Sequence, residues 1–234
     1  MKYIYKTIFY IYIIMYIPFE KIFKTYNNIV PINGVLHIGA AGCEELEEYR
    51  KFGLTNDKII WVEANPKQIE EVKKKDSTII IKNFICCDKD TGETELKICS
   101  KSTDPHGHCS SILDLGEGAK RIYGLRYETS IKIKNNRIDT MYKKDNIPKN
   151  FANFVNIDIQ GAELLALKGM GDLLHNFDYV YTEVNNTRDV YKECCLVDEI
   201  DTYLSKYGFI RKETVWNPGW KTWGDSLYIK ESKF

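Results

Sequence analysis

The stretch Val35–Pro66 constrains the fold of this chain most strongly. It begins with VLHIGAAG, an apolar run that ends in glycines, which is typical of a buried parallel strand followed by a tight turn. Glu44–Lys51 has apolar residues at helical spacing, and Gly53 marks its C-terminal end. A second apolar strand, Ile59–Val62, ends in Glu63, a carboxylate placed to bind the two hydroxyls of a ribose. This unit predicts the first half of a nucleotide-cofactor site.

The glycines of this turn discriminate between cofactors. A dinucleotide fingerprint, Gly-x-Gly-x-x-Gly, places a helix N-terminus on a pyrophosphate. Here Gly39 and Gly42 are present, but Ala41 and Glu44 occupy the second and third glycine positions. Glu44 and Glu45 would also put negative charge where a pyrophosphate binds. The turn therefore disfavours NAD and FAD and suits S-adenosylmethionine, which has no phosphate and carries a sulfonium and an ammonium group.

Composition limits the class of protein. The 234 residues are enough for one α/β domain of about 200 residues with an N-terminal extension. Lys and Arg number 33, as do Asp and Glu, so the charge balance does not indicate nucleic acid as a partner. Seven scattered cysteines argue against a disulfide framework and favour a reducing, cytoplasmic location. His106-Gly107-His108-Cys109 has no second ligand pair at zinc-site spacing, so we interpret it as a polar loop.

The N-terminal residues are open to three interpretations. Thr7–Phe19 is a mostly apolar run of about 13 residues, shorter than the roughly 20 that span a bilayer. No small-residue cleavage site accompanies it. The run is a helix packed on the domain, a weak signal anchor, or a leader that is not needed for folding. We favour a soluble protein; the alternative, which we do not favour, is membrane association through residues 3–19.

Later strands bring further polar residues to the same edge of the sheet. Ser77–Cys87 is a β-branched run that predicts a third strand, which ends at Asp88. The apolar strand Phe154–Ile157 stops at Asp158. Because the ligand crevice of an open α/β sheet lies outside the carboxyl ends of its strands, Asp158 is expected to point into that crevice. Residues 100–128 have no sustained periodicity and predict a loop or lid on the substrate side.

The chain ends in two strands with no helix between them. They are predicted at Phe209–Trp216 and Ser226–Lys230 and are joined by Asn217-Pro218-Gly219, so they must pair antiparallel. The strand before them, Asp178–Val184, brings Glu183 to the edge of the sheet. A parallel sheet that finishes in such a hairpin differs from an ordinary dinucleotide-binding fold.

Four pieces of the sequence together resemble the FkbM-type methyltransferases, which belong to the class I S-adenosylmethionine-dependent enzymes. The resemblance runs from about Gly34 to the C-terminus, and the order and spacing of the pieces make it specific. His37 departs from the family pattern, which usually has an acidic residue there to hold the methionine ammonium, a task left to Glu44 or Glu45. The pieces are HIGAAG at 37–42, EANP at 63–66, IDIQGAE at 157–163 with LKG at 167–169, and TEV at 182–184.

The resemblance implies a Rossmann-like α/β fold: a mostly parallel sheet of seven strands with a C-terminal antiparallel hairpin and helices on both faces. We divide the chain into an N-terminal extension, residues 1–28, and a methyltransferase domain, residues 29–234. The implied reaction moves a methyl group from S-adenosylmethionine to a hydroxyl of a sugar, another glycan or a small metabolite. The residues predicted to bind the cofactor are His37, Gly39, Ala40, Gly42, Glu44, Glu63, Asn65, Cys87 and Asp88.

Methyl transfer to a hydroxyl needs both positioning and a base. The acceptor oxygen must lie in line with the methyl carbon at roughly 3 Å, and the hydroxyl must lose its proton. Asp158 and Glu163 are the candidates for this general base, although the helix dipole alone favours a carboxylate at Glu163, in the first turn of a helix. Asp158, Glu183 and Asn185 could also converge on a divalent metal. The resemblance does not require one, and we predict no metal.

Two other functions stay open from the sequence alone. A nucleotide-dependent oxidoreductase is disfavoured by the missing glycines and by the terminal hairpin. A non-catalytic scaffold that kept the fold would be free to lose Gly39 or Glu63, and neither is lost.

Overall fold

The computed structural model describes residues 16–100, 102, 104 and 107–234. Most of the apolar run Thr7–Phe19, and His106 of the polar loop, lie outside the described residues. The strands are β1 (Val35–Ile38), β2 (Ile59–Glu63), β3 (Ile80–Asn83), β4 (Ile85–Cys86), β5 (Glu93–Cys99), β6 (Tyr127–Asn136), β7 (Phe154–Ile157), β8 (Tyr179–Asn185), β9 (Phe209–Trp216) and β10 (Trp223–Lys230). The α-helices are α1 (Phe19–Tyr26), α2 (Leu46–Lys51), α3 (Pro66–Lys75), α4 (Glu117–Tyr123), α5 (Ile138–Lys144), α6 (Glu163–Met170) and α7 (Val197–Ser205).

The main sheet has seven strands in the order β3-β2-β1-β7-β8-β10-β9. The first five are parallel to one another, and β10 pairs antiparallel with both β8 and β9. This confirms the predicted Rossmann-like α/β class with its C-terminal hairpin. The strand order reverses between β1 and β7, and the crevice beside such a switch point is where open α/β sheets bind ligands.

The third strand is shorter than the sequence predicts. β3 pairs with β2 only over residues 80–83, and the Asn83 side chain then donates to the backbone carbonyls of Glu63 and Ala64 at 3.0 and 2.8 Å. This contact holds the last residue of β3 against the C-terminal end of β2, where the chain leaves the main sheet. The next residues form β4, which joins a separate three-stranded sheet of order β4-β6-β5. The strand β5 pairs with β6 and so belongs to this second sheet, not to the edge of the main one.

In the described part of the predicted irregular segment 100–128, the chain forms one helix and the start of a strand. Helix α4 has only seven residues and lies between Gly116 and Gly124, the second of which adopts a left-handed φ of +66°. Seven residues are too few for a periodic signal. The segment packs with residues 190–194 around its own apolar cluster, which includes Leu115 and Tyr191.

Both faces of the sheet are buried. Every residue of β1, β2, β7 and β8 is buried, as their continuous apolar runs predict. Helix α1 packs Phe19, Ile22 and Phe23 into the cluster on one face, together with Val35 and Trp61 of the sheet. The described part of the predicted N-terminal extension thus lies against the domain. Among the described residues, no helix is both long enough and apolar enough to cross a membrane.

Candidate active site

The glycine turn brings the ends of β1 and β7 together. Gly39 has a left-handed φ of +93°, and a Cβ there would lie 1.7 Å from the carbonyl oxygen of Asp158. The backbone N–H of Asp158 donates to the carbonyl of Ile38 at 2.9 Å. Only glycine permits this approach. It places Asp158 directly beside the turn at the switch point of the sheet.

The backbone N–H groups of the turn are already bonded within the protein. Ala41 donates to Glu63 at 2.8 Å, and Gly42 donates to Glu44 at 3.0 Å. Gly39 and Ala40 donate to the carbonyl of Val62, and Cys43 donates to the carbonyl of Ala40. A pyrophosphate needs N–H groups that point at it without other acceptors. The turn is therefore poorly suited to a dinucleotide, in line with its missing glycines.

Glu63 is fixed at the end of β2 by two backbone donors. Its Oε2 accepts from Ala41 at 2.8 Å, and its Oε1 accepts from Asn65 at 2.6 Å. Burial raises the pKa of this carboxyl, and the backbone donors oppose that rise. Each carboxylate oxygen has a second lone pair, so both oxygens can still accept a hydrogen bond from a ligand hydroxyl.

Glu44 joins the turn to His108, in the segment 100–128. Its Oε1 lies 3.3 Å from Nε2 of His108, and this bond raises the pKa of His108. Burial acts to raise the pKa of Glu44, but the contact with His108 and backbone donors holds it below its ordinary value. Burial raises the pKa of the neighbouring Glu45 to about 7. The turn thus carries two carboxyl groups at the mouth of the crevice.

His37 lies in the core and not on the crevice surface. It is 2% exposed, and its ring stacks on Trp61 with the ring centres 4.4 Å apart. Its Nδ1 is 3.1 Å from the Tyr49 hydroxyl and 3.4 Å from Nδ2 of Asn156. Burial lowers the pKa of His37 to about 3, so the imidazole is neutral. The structure thus corrects the expectation of direct cofactor contact: alternate side chains of β1 face opposite sides, and that of His37 faces helix α2.

The remaining predicted cofactor residues separate into two groups. Ala40 is buried within the turn, and Asn65 caps α3 by accepting from the backbone N–H of Lys67 at 3.1 Å. Cys87 and Asp88 follow β4. Cys87 belongs to an apolar cluster against which Ala64, next to Glu63, and Leu165 in the first turn of α6 pack, and its carbonyl lies against Gly169 near the C-terminal end of that helix. Contact of Cys87 and Asp88 with a cofactor stays a prediction.

Three polar side chains meet at the ends of β7 and β8. Gln160 donates through Nε2 to Oδ1 of Asp158 at 2.5 Å and to Oε2 of Glu183 at 3.0 Å. The Asp158 side chain is open to the crevice, yet the crevice walls desolvate it and raise its pKa, against the effect of Gln160. Burial and the nearby Asp158 raise the pKa of Glu183 well above its ordinary value.

Glu163, the second predicted base, is an anchor of the loop between β7 and α6. Its Oε1 accepts from the backbone N–H groups of Ile159 and Gly161 at 3.2 and 2.9 Å, and Cys195 contacts its Oε2. The residue is 0% exposed, and burial raises its pKa to about 7. The side chain thus turns away from the crevice because the loop's own donors hold it.

Glu163→Gln is expected to stabilise the protein more at high pH than at low pH. The folded-state pKa of about 7 exceeds the ordinary 4.5, so wild type loses stability as the pH rises between these values. Glutamine keeps the acceptor without the charge. The difference in free energy of unfolding between variant and wild type should grow by about 2–3 kcal/mol from about pH 5 to about pH 8. Urea denaturation at both pH values measures it.

The control for that experiment is Glu71→Gln, on the exposed face of α3. Its effect on the free energy of unfolding should be the same at both pH values. If the effect of Glu163→Gln on the free energy of unfolding were also the same at both pH values, Glu163 would not be a buried carboxyl with a raised pKa.

Sequence reasoning missed part of this site. It treated Glu183 only as a candidate metal ligand and gave no role to Gln160 or Tyr191. The place of Gln160 between Asp158 and a glycine, just after a strand, was a usable signal. Tyr191 lies in an irregular segment and had none. Within the described part of the chain, no group of three or more His, Cys, Asp or Glu could hold a metal ion.

Comparison with known families finds one match. The model described as the methyltransferase FkbM domain matches residues 37–211, well over half of the chain. No curated protein matches the chain.

Several solved structures are similar to this chain at low sequence identity. Methyltransferase FkbM from Methylobacillus flagellatus KT is 15% identical with a TM-score of 0.49, and the match covers 84% of this chain and 43% of that one. Magnesium protoporphyrin IX methyltransferase from Synechocystis PCC 6803, solved with bound SAM, is 8% identical with a TM-score of 0.44, and the match covers 84% and 69%. Fibrillarin from Aeropyrum pernix, also with SAM, is 11% identical with a TM-score of 0.47, and the match covers 84% and 66%.

Proposed function

This chain belongs to the FkbM methyltransferase family of S-adenosylmethionine-dependent enzymes, and on that premise we propose that it methylates a hydroxyl of a sugar or small metabolite. One observation carries the choice of a hydroxyl: the Asp158 carboxylate opens on the crevice directly beside the Gly39 turn. A hydroxyl must lose its proton to act as a nucleophile, whereas a neutral amine attacks without a base.

The donor set of the crevice fits the proposed cofactor. Glu63 has two fixed carboxylate oxygens with spare acceptor capacity, which suits a ribose diol. Glu44 supplies negative charge for an ammonium and a sulfonium, and a cation bound beside Glu45 would favour the ionised form of that carboxyl as well. The turn has no unpaired N–H groups among Gly39, Ala40, Ala41, Gly42 and Cys43 for a phosphate. These features favour a cationic, phosphate-free cofactor over a dinucleotide.

The proposed reaction is an in-line displacement. When bound, the cofactor supplies an electrophilic methyl group. The chain's own residues orient the acceptor so that its oxygen lies roughly 3 Å from that carbon. Asp158 would take the hydroxyl proton as the bond from oxygen to the methyl carbon forms and the carbon–sulfur bond breaks, its electron pair staying on sulfur. The raised pKa of Asp158 makes it a stronger base than an ordinary aspartate.

A label-transfer assay tests the proposal with the full-length chain. S-adenosylmethionine labelled in its methyl group is offered with neutral monosaccharides, with the matching amino sugars and with sugar phosphates. We expect label in O-methyl products of the neutral sugars and little in sugar phosphates, because the carboxylates of Glu44 and Asp158 disfavour an anionic acceptor. Label found only on the nitrogen of amino sugars would contradict the proposal.

A further inference from the structure

Gln160 is held in a backbone conformation that few non-glycine residues adopt. Its φ is +58°, within the left-handed region. The hydroxyl of Ser111 donates to its carbonyl at 2.8 Å, and Glu163 accepts from the N–H groups of the residues on either side. Three contacts thus fix this one residue. Such strain is retained where the surroundings dictate it, often at functional sites.

The side chain of Gln160 is fixed as firmly as its backbone. The Tyr191 hydroxyl donates to Oε1 of Gln160 at 2.6 Å, so the amide nitrogen must face the other way. That nitrogen donates to both Asp158 and Glu183. Tyr191 is itself buried at 1% exposure. One amide therefore bridges the carboxyl groups of two neighbouring strands, in an orientation set by a buried tyrosine.

Asp158 and Glu183 accept from the same amide nitrogen, and two carboxylates held that close repel each other strongly if both ionise. The donation from Gln160 lowers the pKa of Asp158, whereas burial and the charge of Asp158 raise the pKa of Glu183, which is consistent with a proton resident on Glu183. Further titratable groups act on this pair from the surrounding elements. They are Glu44 and Glu45 after β1, His108 and Cys109 in the segment 100–128, Glu163 on α6, Cys194 after β8, and Asp225 on β10.

We propose that Asp158 and Glu183 share one proton, and that Gln160, oriented by Tyr191, is the positioning residue that keeps the ionised carboxylate on Asp158. The value of this arrangement for catalysis rests on the proposed function: the acceptor hydroxyl gives its proton to Asp158 while Glu183 retains its own. No electron transfer is involved. The pair itself exists in the protein without cofactor or acceptor.

The test is a pH titration of carboxyl ¹³C resonances in the full-length chain labelled at Asp and Glu, with no ligand added. Asp158→Asn and Glu183→Gln assign the two resonances. In Gln160→Ala the midpoint of Asp158 should rise by about 1 unit, because a donor to the charged form is lost. In Tyr191→Phe it should rise by a smaller amount, because the amide loses its fixed orientation.

Tyr228→Phe is the matched control. Tyr228 is also 1% exposed, and its hydroxyl donates at 2.7 Å to Asp201, which lies on helix α7. The control should cost similar stability in a thermal melt and leave the midpoint of Asp158 unchanged. If Tyr191→Phe leaves that midpoint at the wild-type value, or if the two carboxyls titrate independently, the proposal is overturned. Tyr191→Phe removes one oxygen atom only, so it decides the matter even if Gln160→Ala does not fold.

Titration of the wild-type chain with S-adenosylmethionine separates this inference from the proposed function. Absence of binding together with a shared-proton titration would refute the proposed methyl transfer and uphold the pair. Binding of S-adenosylmethionine together with independent titration of Asp158 and Glu183 would overturn the shared proton and leave the proposed function standing.

Discussion

Asp158→Asn is expected to lower kcat for methyl transfer to a hydroxyl by about 10²–10⁴-fold, the usual contribution of a general base. Asparagine has nearly the same shape, but its amide accepts no proton. The dissociation constant for S-adenosylmethionine should change little, since the side chain of Asp158 opens on the crevice and supports neither the glycine turn nor Glu63. Wild-type activity should fall as the pH drops through the raised pKa of Asp158, because only the ionised form is a base.

The matched control is Asp172→Asn, an exposed aspartate just after α6. It should retain wild-type kcat and the same pH profile. Steady-state kinetics with the acceptor found in the label-transfer assay supply the comparison. An Asp158→Asn variant within about threefold of wild-type kcat would exclude Asp158 as the base.

Glu63→Gln is expected to weaken the binding of S-adenosylmethionine by about 10–100-fold, because hydrogen bonds to a charged acceptor are worth about 1.5–3 kcal/mol. Glutamine replaces one carboxylate oxygen with a donor. One of the two contacts to Ala41 and Asn65 is then lost along with the charge that attracts ribose hydroxyls. The lost backbone contact and the lost charge both act at the end of β2, where the ribose is proposed to bind.

Calorimetry measures this effect, with Glu71→Gln as the control for a carboxylate on exposed α3. A thermal melt separates a loss of binding from a loss of fold. Wild-type affinity in a folded Glu63→Gln variant would show that the acidic end of β2 does not hold the cofactor.

Local signals made much of this fold predictable from sequence. Helix α3 begins where local sequence signals place a helix start, because Asn65 caps it and Pro66 occupies its first turn. The glycine turn was also predicted, as were β1 before it and β2 after it. Continuous apolar runs that end in glycine or a carboxylate have few other interpretations. The terminal hairpin followed from the absence of any helix between β9 and β10.

The features that the sequence did not predict depend on contacts between distant residues. The third strand stops at Asn83, where that side chain binds carbonyls at the end of β2. In the run 77–87 the polar pair Lys82-Asn83 is too brief a signal to mark this break by itself. His37 has the sequence position of a cofactor ligand, but its orientation is set by Tyr49 and Asn156 across the core. The contact from Tyr191 to Gln160 spans 31 residues and leaves no local pattern.

The most direct test of the central claim is calorimetric titration of the full-length chain with S-adenosylmethionine, beside an equal titration with NADH. A crevice with an acidic turn and no spare N–H groups in its glycine turn should bind S-adenosylmethionine at about micromolar concentration, about −8 kcal/mol, and should not bind NADH. Binding of NADH without binding of S-adenosylmethionine by the folded chain would contradict the account.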